Sequence, residues 1–342
     1  MIEDIYIFYI FSNFKLGLIS RLKLMEHLKN YVKSKGQIFI KMAQIFMTNQ
    51  YLFGDKFSSD ELAEMNKILD NVHQNVKDAD FLVGCGSVAY VSFKKDDNNI
   101  VIKKVLPNIE EEIINSSKKF ISMINIAKLS VNIQVDFDSI NDYKNLLLKQ
   151  VDLRDEAINM IRMRNIFSNV DYINIPKIHS FEPDYIEMDY IKGLKLSEFI
   201  KEYPNKRKTC LLLLNKVLKI MIENKFFHGD LHEGNFIFYL DENYYVHITI
   251  IDFGIVFELD AKQQKTFYNY IVLKQDSCKA KFFYELCNKK IPFYKFKILF
   301  EKHRHDDVFK IFDKMKEENV KFNFFYTTFL IGLNNLILLL NK

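Results

Sequence analysis

Two short stretches carry residue types and spacings that could transfer a phosphoryl group. Residues 228 to 235 read His-Gly-Asp-Leu-His-Glu-Gly-Asn, and residues 252 to 254 read Asp-Phe-Gly. Asp230 supplies a carboxylate that can receive the proton of an acceptor hydroxyl. Asn235, five positions on, and Asp252 supply oxygen ligands of the hard kind that Mg²⁺ takes. Asp-Phe-Gly alone would read as an ordinary strand end. Both stretches in this order, joined by a hairpin, make chance a poor explanation.

The elements that must position these groups follow from the residues between them. Phe236 to Leu240 and Tyr245 to Ile251 are rich in aromatic and β-branched residues, and Asp241-Glu242-Asn243 reads as a turn. Asn235 then stands at the mouth of one strand and Asp252 at the end of the other. The spacing of Asp230 and Asn235 resembles the H-R-D-x-x-x-x-N loop of protein kinases.

A nucleotide would be held further upstream. Residues 84 to 91 read Gly-Cys-Gly-Ser-Val-Ala-Tyr-Val, similar to a Gly-x-Gly-x-x-Gly-x-Val phosphate loop with Ala89 in the third glycine position. Gly84, Gly86, Ser87 and Ala89 are the candidate phosphate-contacting positions, since small residues let the backbone approach. Val91 to Lys94 reads as a strand, Asp96 to Asn99 as a turn, and Ile100 to Leu106 as the next strand. That strand carries Lys103 and Lys104, which alternate faces. Aligning Val101-Ile102-Lys103-Lys104 with Val-Ala-Ile-Lys selects Lys104 for the phosphates and leaves Lys103 facing solvent.

Asp152, Glu156 and Asn159 fall at i, i+4 and i+7 and share one helix face. Glu156 is the candidate partner that orients Lys104. Tyr185 to Ile191 reads as a strand leading to Lys192-Gly193, a hinge-like stretch in which Met188 and Asp189 would meet adenine. Upstream, Gln37, Lys41, Gln44 and Thr48 repeat along an otherwise apolar segment. They predict a mostly buried helix with one narrow polar stripe.

Composition limits the classes of protein. The chain has 342 residues, 49% of them hydrophobic, enough for a sizeable core in one large domain or two lobes. A net charge of +4 is small for this length and does not argue for a nucleic-acid partner. Cys85, Cys210, Cys278 and Cys287 are scattered, as expected of reduced thiols in an intracellular, cytoplasmic protein. Phe 32 and Tyr 18 against Gly 10 and Trp 0 read as a bias towards AT-rich codons, and no function is drawn from them. Phe324 to Leu340 is interrupted by Thr327, Thr328, Asn334 and Asn335 and reads as a buried helix. Contact with a membrane surface stays open. Glu3 and Asp4 argue against a secretory or mitochondrial leader. His303-Arg304-His305-Asp306-Asp307 reads as a charged, solvated stretch rather than a metal site. His232 reads as a structural residue of its loop.

Phe39-Ile40-Lys41-Met42-Ala43-Gln44 resembles the Lys-x-Gly-Gln signature of the UbiB/AarF-domain atypical kinases, with Ala43 in place of Gly. Lys104-Val105-Leu106-Pro107, Asp152 to Glu156, Met188 to Gly193 and His228 to Asn235 are similar to the same family, as are Met47 to Gln50 and the segment after Ser58. Gln150 stands where the family has Glu, and Glu233 where it has Pro. The resemblance covers roughly residues 30 to 270. It implies an α+β, bilobal protein-kinase-like fold with N-terminal helices over the cleft. The implied division is residues 1–79 for the helical extension, 80–190 for the smaller lobe and 191–342 for the larger. It further implies ATP and Mg²⁺ as cofactors, Lys41 and Gln44 near the nucleotide, poor phosphorylation of proteins in trans, and a role in lipid or quinone metabolism. Two other readings compete. One is a small-molecule phosphotransferase of the aminoglycoside/choline kinase type, which lacks the Lys41/Gln44 helix. The other is a nucleotide-binding scaffold without turnover. Oligomeric state is left open.

Overall fold

The structure is a computed structural model that describes residues 2–48, 82–130, 137–287, 290–303, 314–315, 318 and 320. In chain order it begins with α1 (Ile2–Lys15), α2 (Arg21–Lys33) and α3 (Gln37–Thr48). Strands β1 (Leu82–Cys85), β2 (Ala89–Lys94) and β3 (Asp97–Val105) follow, then α4 (Ile109–Ser130), α5 (Phe137–Lys149) and α6 (Arg154–Ile166). Next come β4 (Ile173–Asn174), β5 (Ile178–Glu182), β6 (Tyr185–Asp189), α7 (Leu196–Glu202) and α8 (Arg207–Glu223). The last described elements are β7 (Phe226–His228), β8 (Phe236–Leu240), β9 (Val246–Ile250), β10 (Val256–Glu258), α9 (Ala261–Phe267), α10 (Lys279–Glu285) and α11 (Phe293–His303). The fold class is α+β, as expected.

The chain divides into two compact units, residues 1–92 with 103–152, and residues 93–102 with 153–342.

In the first unit, α1, α3 and α5 pack on the long helix α4, and α2 packs on α1 and α3. Apolar positions on these helices close the core: Ile7, Ile10, Leu24, Leu28, Ile38, Phe39, Phe120 and Ile124 are all buried. Aromatic rings chain through it, Tyr31 to Phe39 at 5.9 Å and Phe39 to Phe120 at 5.2 Å. Gly36, at φ 93°, turns the chain into α3. Glu112 of α4 accepts the N–H of Ile38 in the first turn of α3, where a carboxylate meets unsatisfied donors and the positive end of the helix dipole. Burial nonetheless raises the pKa of Glu112 above its ordinary value.

Strands β1 and β2 form an antiparallel hairpin, and the sheet order is β1-β2-β3-β6-β5. In the second unit β5 and β6 pair antiparallel, and Lys94 and Glu187 form an ion pair at 2.6 Å. A smaller sheet of order β4-β9-β8 and the pair β7-β10 carry the two chemical stretches. The core behind them is aromatic: Phe199, Phe226, Phe227, Phe238, Phe253, Phe267 and Phe282 are fully buried. Helix α8 supplies the apolar backing through Leu213, Leu214, Val217 and Met221. Among the described residues no helix is long and apolar enough to cross a membrane. The stretches 324–340, 304–307 and 49–79 considered above lie outside the described residues.

Candidate active site

Topology alone brings the two stretches together. Strand β7 pairs with β10, with His228 opposite Val256. Strand β8 pairs with β9, with Phe236 opposite Ile250. The loop 229–235 leaves β7 and enters β8, while the loop 251–255 leaves β9 and enters β10. Each loop is therefore pinned at both ends beside the other. Backbone bonds complete the pinning: Gly229 N–H donates to the Ile255 carbonyl at 2.8 Å and Ile251 N–H to the Asn235 carbonyl at 3.0 Å. A Cβ on Gly229 would stand 2.6 Å from Ile255 Cγ2, so this close approach requires glycine.

His228 lies beneath both loops and is fully buried. Its Nδ1 accepts the Asp230 N–H at 3.0 Å, and its Nε2 lies 3.4 Å from the Ile251 carbonyl. These partners fix the tautomer with the proton on Nε2. Burial lowers the pKa of His228 below its ordinary value, despite the nearby Asp230 and Asp252. It is a neutral structural strut. The sequence offered one signal for it, its place at the head of the His-Gly-Asp triplet.

Asp230 is half-buried. Burial pushes its pKa up, but the hydrogen bond and charge of His232 outweigh that and hold it below the ordinary value. His232 Nε2 lies 3.4 Å from the Asp230 carboxylate, and its Nδ1 accepts the Gly234 N–H at 3.0 Å. Asp230 is thus kept ionised, the form that could accept a proton. Asn235 is buried, and its Nδ2 donates to the Asp230 carbonyl at 2.9 Å. With the amide nitrogen committed there, Oδ1 is the atom left for a metal.

Asp252 has a φ of 62°, a left-handed conformation that Asp reaches more readily than most side chains because its carboxylate can bond the local backbone. Its Oδ1 accepts the Gly254 N–H at 3.2 Å, and the side chain is exposed. Asn235 and Asp252 are both oxygen donors, so the donor chemistry fits Mg²⁺.

Helix α6 carries Glu156, which is buried at 6% exposure even though it is a carboxylate. Asn159, on the same face, donates through Nδ2 to the Phe253 carbonyl at 3.2 Å. The sequence placed Asn159 on this face but assigned it no role.

The first unit holds the phosphate-loop candidates. The backbone turns tightly from β1 to β2, with Gly86 N–H donating to the Ala89 carbonyl at 2.8 Å. Gly84 lies in β1, Ala89 is buried in β2, and Ser87 is half-buried in the turn. Leu106 N–H donates to the Val88 carbonyl at 2.9 Å, so the end of β3 sits against this turn. The lysines of β3 have the opposite exposure to that expected: Lys104 faces solvent, and Lys103 is half-buried. Lys41 is also exposed, although its stripe was expected to be buried. Helix α3 buries Ile38, Phe39, Ile40, Met42 and Ala43 against its neighbours, which leaves the Lys41 edge outward. The backbone of Gln44 lies in α3, and its side chain is outside the description.

At the hinge-like stretch, Asp189 is committed to the fold. Its N–H donates to the Lys177 carbonyl at 3.0 Å, and its carboxylate accepts the Lys177 N–H and meets His179 Nε2 at 2.8 Å. Met188 is half-buried in β6 opposite Ile178.

The ABC1 atypical kinase-like domain model matches residues 59–281, well over half of the chain. The chain belongs to that family. Its α+β fold is accordingly the protein-kinase-like one. Among curated relatives, the probable protein kinase UbiB of Shewanella sp. (strain W3-18-1) is 23% identical over 269 residues, covering 69% of this chain and 49% of that protein. The probable protein kinase UbiB of Shewanella oneidensis is 24% identical over 277 residues, with the same coverage. The chain thus spans about half the length of the curated relatives it matches. The solved complex of Rv3197 with erythromycin from Mycobacterium tuberculosis superposes with a TM-score of 0.49 at 16% identity, over 76% of this chain and 73% of that one.

Proposed function

We propose that this UbiB-type atypical kinase binds ATP with Mg²⁺ and transfers or releases the terminal phosphoryl group. The observation that carries the reading is His228, one buried imidazole bonded to the backbone of both Asp230 and Ile251. It holds the proton-accepting loop and the Asp252 loop as one piece. Asp230 receives the acceptor's proton. Asn235 and Asp252 would hold Mg²⁺, which would supply neutralisation of the phosphate charge. The turn at Gly86 and Ser87 meets the phosphates with backbone N–H groups. Lys103 is preferred to Lys104 as the phosphate lysine, because a half-buried strand face suits a bound anion better than an exposed one. Glu156 orients that lysine. Met188 and Asp189 flank the adenine. Lys41 and Gln44 retain the role near the nucleotide that the family resemblance implies, together with poor phosphorylation of proteins in trans.

The test is phosphate release from ATP by purified protein, with and without Mg²⁺, lipid, peptide or small hydroxylated acceptors. Mg²⁺-dependent release supports the reading. Transfer only to a small hydroxylated acceptor supports the aminoglycoside/choline kinase alternative. Nucleotide binding without release in any arm supports a scaffold.

A membrane-surface role rests on a separate observation. Ile5, Phe8, Tyr9, Leu16, Leu18 and Leu22 on and between α1 and α2 are exposed. Residues 1–48 carry seven Lys and Arg against three Asp and Glu, which equals the +4 of the whole chain. An apolar surface with basic neighbours suits an anionic bilayer. A lipid or quinone-related substrate would be consistent with that location. Flotation with anionic but not neutral vesicles supports it, and no flotation with either opposes it.

A further inference from the structure

The geometry points to Asn159 as a positioning residue that fixes the peptide after Asp252 and links it to the helix of Glu156. The inference rests on the metal role proposed for Asp252. Asn159 is half-buried on α6, one turn beyond Glu156. Its Nδ2 reaches 94 positions along the chain to the Phe253 carbonyl, at 3.2 Å. That carbonyl lies one residue after Asp252, whose φ of 62° is in the left-handed region. From the other side, Gly254 N–H is held by Asp252 Oδ1 at 3.2 Å. The Asp252–Gly254 backbone is therefore gripped between its own carboxylate and the Asn159 amide.

The helix that extends this amide is itself fixed. Leu153 N–H, at its start, donates to the Pro183 carbonyl at 2.8 Å. Arg164 donates to the Ile175 carbonyl at 2.7 Å. Arg162 pairs with Glu258 and lies over the Phe226 ring at 4.1 Å. With α6 anchored at both ends, Asn159 delivers a donor to a defined point. Glu156 and Asp252 are then set by one rigid element, and a displacement of α6 that withdraws Glu156 also releases the Asp252 loop. An Ala at 159 would leave the carbonyl unheld, and an Asp would set a carboxylate against it.

The experiment compares wild type with Asn159→Ala and Asn159→Asp by amide exchange over residues 251–255 and by the Mg²⁺ concentration that half-saturates ADP binding. In Asn159→Ala the Gly254 amide exchanges about fivefold faster and the Mg²⁺ midpoint rises about fivefold, the factor one ordinary hydrogen bond supplies. Asn159→Asp exceeds both changes. ADP affinity without Mg²⁺ and exchange in α8 stay at wild-type values, which separates positioning from loss of fold. In an Asp252→Asn background, where the Mg²⁺ enhancement of ADP binding is already lost, Asn159→Ala makes no further change to ADP affinity at high Mg²⁺, because the group it acts through is gone. Unchanged Gly254 exchange in Asn159→Ala, or a further loss of ADP affinity at high Mg²⁺ in the double variant, overturns the inference. If wild type binds ADP with no Mg²⁺ dependence, the proposed function fails, and Gly254 exchange alone decides the role of Asn159.

Discussion

His228 and Asp230 are joined by a hydrogen bond from the Asp230 backbone N–H to His228 Nδ1, 3.0 Å long. The acceptor nitrogen must be unprotonated, and the other, Nε2, faces the Ile251 carbonyl. A doubly protonated ring would set an N–H against an N–H. Burial, which disfavours the charged ring, lowers the pKa of His228 as well.

A pH dependence of stability follows. Below the ordinary histidine value of 6.5 the unfolded chain binds a proton that the folded chain refuses. Stability is then lost as pH falls from 6.5 towards the lowered folded value, at up to about 1.4 kcal/mol per pH unit. Asp230 has the opposite origin but the same direction. Its depressed pKa contributes stability above the ordinary value of 3.8, lost only as pH falls through that lower range. Urea unfolding between pH 7.5 and 5 should show a steeper loss in wild type than in His228→Asn. Equal slopes in the two proteins would contradict the strut assignment.

Lys103 and Lys104 differ in exposure on one strand. Lys103→Ala should weaken nucleotide binding at least tenfold, the ordinary effect of removing a phosphate-bound cation, worth about 1.4 kcal/mol or more. Lys104→Ala should change it less than twofold. Titration calorimetry with ADP and Mg²⁺ decides, and the reverse order would restore Lys104 to the role first expected of it.

Gly193 has no room for a side chain. A Cβ there would stand 2.6 Å from both the Phe238 carbonyl oxygen and Ile237 Cγ2. Leu194 and Phe238 exchange backbone hydrogen bonds at that point, so the backbone cannot retreat without breaking them. Gly193→Ala should destabilise the second unit by about 1–3 kcal/mol. Thermal unfolding checks this, and an unchanged midpoint would show that β8 and its neighbour are looser than described.

The β8–β9 hairpin was legible in the residues because both of its signals are local. Its strands are β-branched and aromatic, and Asp241 Oδ1 accepts the N–H groups of Asn243 and Tyr245 to shape the turn. The helix face of Glu156 and Asn159 was legible from period alone. Which of two adjacent lysines turns inward was not, because a shift of one residue reverses every side chain of a strand. The exposure of Lys41 was hidden for a related reason. Period defines a helix face, but only the packing of α2 and α4 decides which face is covered. The bonds of His228 to Ile251 and of Asn159 to Phe253 join residues 23 and 94 positions apart. No local pattern encodes such partners.

Asp230 and Asp252 separate the two halves of the proposed chemistry, one for the proton and one for the metal. The most direct test is ADP binding by calorimetry with and without Mg²⁺, in wild type, Asp230→Asn and Asp252→Asn. Wild type and Asp230→Asn should bind ADP at least tenfold more tightly with Mg²⁺ than without, and Asp252→Asn should lose that enhancement. Equal loss in both variants, or Mg²⁺-independent binding in wild type, would contradict the account.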